Sequence, residues 1–181
     1  PTVIFSQNEN SSIYWIDSDG SSATLIVTPG GKSILADASW DLEPYLDRIL
    51  EVMKIAGVSQ IDYLITSHFH DDHSGGVLPL SKAFPICEYI DHGDSIYKDT
   101  DQGRDNWNNY LAAVEHSIAT VRFCGQATGK RTPVRPGDML PLDDGSSLTI
   151  VASDKSVLTN PLMPTEYNQL CDNAITGLDP W

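Results

Sequence analysis

The chain has 181 residues, with 25 acidic side chains against 11 basic ones and a net charge of −14. With 40 % hydrophobic and 20 % charged residues, it has the composition of a folded domain with a sizeable core. No apolar run approaches the ~20 residues that cross a bilayer, and the acidic balance excludes a broad basic face for a phosphate backbone.

The three cysteines, Cys87, Cys124 and Cys171, form no C-x-x-C pair. That sets aside a zinc knuckle or thioredoxin-type site. One disulfide with a free thiol, or no disulfide, both remain open. The chain begins at Pro1 without a basic-then-apolar leader, which reads as a processed or trimmed terminus.

In chain order, Thr2–Phe5, Ser12–Ile16, Ala23–Thr28 and Ser33–Ala36 read as short strands. They are separated by Asp17-Ser18-Asp19-Gly20 and Pro29-Gly30-Gly31-Lys32, an antiparallel, hairpin-rich opening. Leu42, Tyr45, Leu46, Ile49, Leu50 and Met53 then recur on one helical face. Ser39 or Asp41 is expected to cap this helix and Gly57 to stop it. Ile61–Thr66 is a β-prone run expected to be a buried strand. Gly75-Gly76 opens a short helix, and Pro85–Ile90 is the next strand. Residues 94–109 read as a polar stretch, and Trp107, Tyr110, Leu111, Val114 and Ile118 as the face of a second helix. Thr120–Cys124 and Leu148–Ala152 are further expected strands. Arg122, Lys130, Arg131 and Arg135 read as a solvated basic loop. Beyond Ser153 no period is sustained.

The chemistry concentrates in Ser67-His68-Phe69-His70-Asp71-Asp72-His73-Ser74-Gly75-Gly76. Imidazole and carboxylate are the ligands that zinc and similar ions prefer. His68 and His70, two apart in an extended segment, project to one side, with Asp72 and His73 turning toward an adjacent point. Such a set suits two metal ions better than one closed structural zinc. On this reading Asp71 points away. The spacing is not that of an H-E-x-x-H helix.

His68-x-His70-x-Asp72-His73, followed by Ser74-Gly75-Gly76 and preceded by Ile61–Thr66, resembles the motif of the metallo-β-lactamase-fold hydrolases. Gly31–Asp37 is similar to the family's strand ending in Asp, and Ile90–Gly93 to a segment found in secreted bacterial relatives. The branch most resembled is the metallohydrolase domain of bacterial competence (DNA-uptake) proteins. The resemblance implies a four-layer αβ/βα sandwich within a single domain over 1–181. It implies a site for two zinc ions, with manganese or iron as substitutes. His68 and His70 would hold the first ion, and Asp72 and His73 the second. Asp72 would also act on the reacting water, and Asp37 would orient a ligand histidine. His92 is a candidate metal ligand or substrate contact.

The family's later ligands, a strand-end Asp and a final His, have no counterpart here, and no His follows His116. The expectation is therefore a sandwich incomplete at its C-terminus, completed by further sequence or by a partner chain. Function is expected to be metal-dependent hydrolysis of an ester, amide or phosphodiester bond in a small-molecule substrate, without extended nucleic-acid binding. The alternative is a non-catalytic module that keeps the fold. The resemblance also favours a bacterial protein of a secreted or periplasmic compartment.

Overall fold

A computed structural model of the chain describes residues 10–122, 124, 129–143 and 145–159. Six strands form one mixed sheet in chain order: β1 (Ser12–Trp15), β2 (Thr24–Val27), β3 (Ser33–Ala36), β4 (Ile61–Ile65), β5 (Ile86–Asp91) and β6 (Lys130–Pro133). β1, β2 and β3 pair antiparallel, as the turn-rich opening leads one to expect. From β3 onward the pairing is parallel. Parallel neighbours need long crossovers. These are supplied by α1 (Glu43–Ile55), by α2 (Asp71–Ser74) with α3 (Val77–Ala83), and by α4 (Asp101–Thr120).

Alternation along the strands divides the core. Leu25, Leu35, Leu64 and Tyr89 face the helices and pack with Ile49, Met53, Leu80 and Tyr110. Their neighbours Ile34, Tyr63 and Ile90 face the other way. There they meet Leu140 and Leu148 of a small antiparallel sheet, β7 (Met139–Pro141) with β8 (Ser147–Thr149). A last hairpin joins β9 (Ala152–Ser153) to β10 (Ser156–Val157). The described residues thus supply a helix layer, the six-stranded sheet and the beginning of a second β layer. Among the described residues there is no fourth layer of the expected sandwich, and the expected strand at 2–5 and Cys171 lie outside them.

Several expectations are corrected. The first helix has Leu42 at its N-cap with no side-chain cap. Ser39 instead bonds the Ser21 hydroxyl and, through its carbonyl, Gly76 N–H. The second helix starts at Asp101, with the Thr100 hydroxyl accepting from Gly103 N–H. Residues 101–106 contain no apolar side chain, so an apolar period shows only from Trp107. Helix occupies the chain to Thr120, and no strand is assigned to the described residues of 120–124. Cys87 and Cys124 form a disulfide, tying β5 to the segment after α4.

Arg131 is not in a solvated loop. It lies on β6 and makes a two-pronged contact with Asp91 on β5, Nε to Oδ2 at 2.7 Å and Nη2 to Oδ1 at 2.9 Å. The Asp91 side chain is wholly buried. It also accepts from Tyr110 Oη at 2.8 Å and Gly93 N–H at 2.7 Å. Burial and the adjacent carboxylate push the Tyr110 phenol well above its usual range, so it remains a donor. The other three cations are likewise engaged: Lys130 with Glu88, Arg135 with Asp154, and Arg122 with the last carbonyls of α4.

Removing one partner of a buried ion pair strands the other charge. Arg131→Met is therefore expected to cost about 3 kcal/mol or more in urea unfolding. The double variant with Asp91→Asn should recover part of that loss; a double variant no better than the single would contradict this account.

Candidate metal centre

The chemistry-bearing residues gather where the parallel strands end. β3 runs into Asp37, β4 into Thr66–His70, and β5 into Asp91-His92. Loops at the carboxyl ends of parallel strands are where open α/β sheets bind ligands. Asp37 leaves β3 with φ 58°, a left-handed conformation that Asp tolerates better than most residues. Its carboxylate is buried and accepts three hydrogen bonds at its two oxygens. They come from Ser67 N–H (2.8 Å), Ser67 Oγ–H (2.9 Å) and His73 Nδ1 (2.7 Å).

This arrangement selects the imidazole tautomers. A carboxylate can only accept, so His73 carries its proton on Nδ1 and presents the Nε2 lone pair. With its hydrogen given to Asp37, the Ser67 hydroxyl can accept from His68 Nδ1, 3.1 Å away. His68 then also presents Nε2. Burial, followed by the neighbouring His73 and His70, lowers the His68 pKa. The neutral, ligating form is thereby favoured.

Asp72 and His73 arrive on the helical turn α2. His73 N–H and Ser74 N–H both bond the His70 carbonyl. The turn is pressed against the segment after β3, where Ala38 N–H bonds the His73 carbonyl. A Cβ on Gly76 would fall on the Ala38 carbonyl oxygen, and one on Gly75 would lie 2.7 Å from Asp41 N. The two glycines are thus needed for close approach.

His68, Asp72 and His73 each bring one ligand atom within 4.8 Å of the other two. His73 Nε2 lies 3.4 Å from Asp72 Oδ2. His70 meets His68 from another side, Nδ1 to Nε2 at 3.0 Å. Two imidazole nitrogens on one tetrahedral zinc, each about 2.0 Å from it, would be about 3.3 Å apart. The donor set therefore fits a divalent ion. Asp71 is outside this group; it lines a cleft with Trp40 and Asn106 that His70 and Asp72 also border. His92 is outside it too; its ring packs on Phe69 with centroids 5.1 Å apart.

A cleft of about 590 Å³ opens beside His68 and His70. Its far walls are Ser95–Tyr97 and the β9–β10 hairpin, and His92 contributes to its lining. Tyr97 stacks on His70 at 5.5 Å. Sequence reasoning missed Ser67, whose type and position gave no sign that it touches two histidines and Asp37.

The chain belongs to the metallo-beta-lactamase superfamily, whose family model matches residues 16–158. Among curated proteins it is similar to an atrochrysone carboxyl ACP thioesterase of Pseudocercospora fijiensis. That match is 33 % identical over 75 residues, covering 41 % of this chain and 21 % of the relative. A lactamase-like protein of Pestalotiopsis microspora is 28 % identical over 101 residues, covering 55 % and 29 %. Among solved structures, the native FEZ-1 metallo-beta-lactamase of Legionella gormanii aligns with TM-score 0.50 and 21 % identity, covering 78 % of this chain and 50 % of that one. The matches span less than a third of either curated relative and about half of that structure.

Ser67→Ala removes the hydroxyl that joins Asp37 to both histidines. A change in the residues that orient metal ligands costs about 10- to 100-fold in affinity. A loss in that range is expected from a competitive zinc titration, with Ser67→Thr close to wild type. Equal affinity in wild type and Ser67→Ala would contradict the tautomer assignment.

Proposed function

We propose that the chain is the metal-binding part of a hydrolase. His68, His70, Asp72 and His73 would hold one or two divalent ions, zinc by the nature of the donors. The observation that carries this reading is the orientation of His68 and His73. Both are tied through Nδ1 to Ser67 or Asp37, which leaves Nε2 as the bare nitrogen, beside Asp72 in His73 and beside His70 in His68. A divalent ion held there supplies Lewis acidity and a water of lowered pKa.

The protein's own groups do the rest. Asp72 is the carboxylate of the cluster and would accept a proton from the reacting water. Ile96, Tyr97 and Val157 are exposed along the cleft and offer apolar surface to a substrate beside the histidines. That lining and the chain's negative charge favour a small ester, thioester or amide over a phosphodiester in extended nucleic acid. The thioesterase named for one relative is in keeping with a carbonyl substrate. None of the relatives reported above is a competence protein. The Cys87–Cys124 disulfide supports a secreted or periplasmic setting.

One observation favours the second reading, a non-catalytic module. Among the described residues, the candidate metal group contains a single carboxylate and no residue from beyond His73. Metal content separates the two readings. The hydrolase reading expects bound zinc in wild type, most of it lost in His68→Ala and His70→Ala. Zinc-free protein after reconstitution would favour the module. Asp72→Asn is expected to lower the hydrolysis rate by about 10²-fold or more, through loss of a group acting on the reacting water. Asp71→Asn should change it little. The reverse pattern would mean that the wrong aspartate has been assigned.

A further inference from the structure

Phe69 stands between two ligand histidines but faces the other way. It is 5 % exposed, and its ring lies edge-on to Trp107 at 4.8 Å and Tyr110 at 5.0 Å. Its carbonyl accepts from Asn106 Nδ2 at 3.1 Å. The residue between His68 and His70 is thus held twice, at ring and at backbone, by one helix. The same helix holds the other neighbour of His70. Thr100 N–H and Oγ–H both donate to the Tyr97 carbonyl, and Tyr97 stacks on the His70 ring. A Cβ on Gly103 would collide with the Tyr97 carbonyl and side chain, so α4 can lie this close to residue 97 only with glycine there. Gly103, Asn106, Trp107 and Tyr110 are spaced i, i+3, i+4 and i+7, one face of a helix.

We propose that this face of α4 is the bed that sets the geometry of the metal loop, with Asn106 as a positioning residue that sets affinity for the ion. The proposal rests on the metal-binding reading above. The physical reason is specific. Trp107 and Tyr110 fix where the ring of residue 69 lies, but a ring can pivot about its own attachment. The Asn106 amide fixes the peptide carbonyl between Phe69 and His70, and with it the direction from which Nδ1 of His70 approaches Nε2 of His68. Asn is a poor helix former, and its place in α4 accords with a task that its amide performs.

The experiment measures zinc affinity by competition with a chromophoric chelator, together with the thermal midpoint of the zinc-free protein. Three forms are compared: wild type, Asn106→Ala and Asn106→Asp. Alanine favours helix, so Asn106→Ala is not at risk of failing to fold. Asp matches Asn in size but, as a carboxylate, cannot donate to the carbonyl. Both Asn106 variants are expected to lose about 10-fold or more in zinc affinity, with the zinc-free midpoint near that of wild type. Zinc affinity unchanged in both Asn106 variants, while His68→Ala abolishes binding, would overturn the proposal and leave the metal centre standing. Zinc binding that survives His68→Ala would overturn the metal-centre reading and this proposal together.

Discussion

A carboxylate taken out of water needs donors around it, and Asp37 finds its donors in two different elements. Ser67 reaches it from the end of β4, and His73 from the turn of α2. The backbone repeats the connection, with Asp37 N–H bonded to Ile65 and Ala38 N–H to His73. Satisfying one buried charge therefore brings two segments of the histidine loop to one point. The same hydrogen bonds decide which nitrogen of each imidazole is left bare. Fold stability and ligand chemistry are joined at this residue, so an exchange of Asp37 for an apolar side chain could not disturb one alone.

The sheet explains why the loop is rigid enough for this role. β4 lies between two parallel neighbours, with Leu64 fully buried toward the helices and Tyr63 nearly so toward the small β7–β8 sheet. A strand covered on both faces has little freedom at its end, and the residues that follow inherit that position. The family's fold supplies this platform, while the chemistry belongs to the side chains set upon it.

Some of this was legible in the sequence and some was not, for identifiable reasons. The histidine loop stood out because ligand residue types were dense after a β-prone run, and Asp37 because a strand ended in it. The helical turn at Asp71–Ser74 was hidden: four polar residues carry no period, and the turn is imposed by contact with Ala38, more than thirty residues away. Arg131 was read as a solvated cation because nothing local marks its partner. Only the parallel pairing of β5 with β6 puts Tyr89 opposite it and Asp91 within reach. The start of α4 was missed because residues 101–106 contain no apolar side chain to set a period, although Thr100 carried a capping signal in plain view. Ser67 illustrates the limit most clearly, since a serine beside a histidine acquires meaning only when a carboxylate from another strand arrives.

The disulfide between Cys87 and Cys124 has a separate consequence. The two half-cystines are 37 residues apart, and the ring they close contains the whole of α4. In the chain-entropy picture, closing a ring of that size removes about 4 kcal/mol of freedom from the unfolded ensemble. The helix that packs against the histidine loop is thus tethered to the strand beside it even while surrounding structure opens. Local opening of this molecule would begin elsewhere, at β1 or at the β9–β10 hairpin. Amide protons along the inner face of α4 would be among the last to exchange with solvent while the bond is intact, and reduction would shorten their protection first.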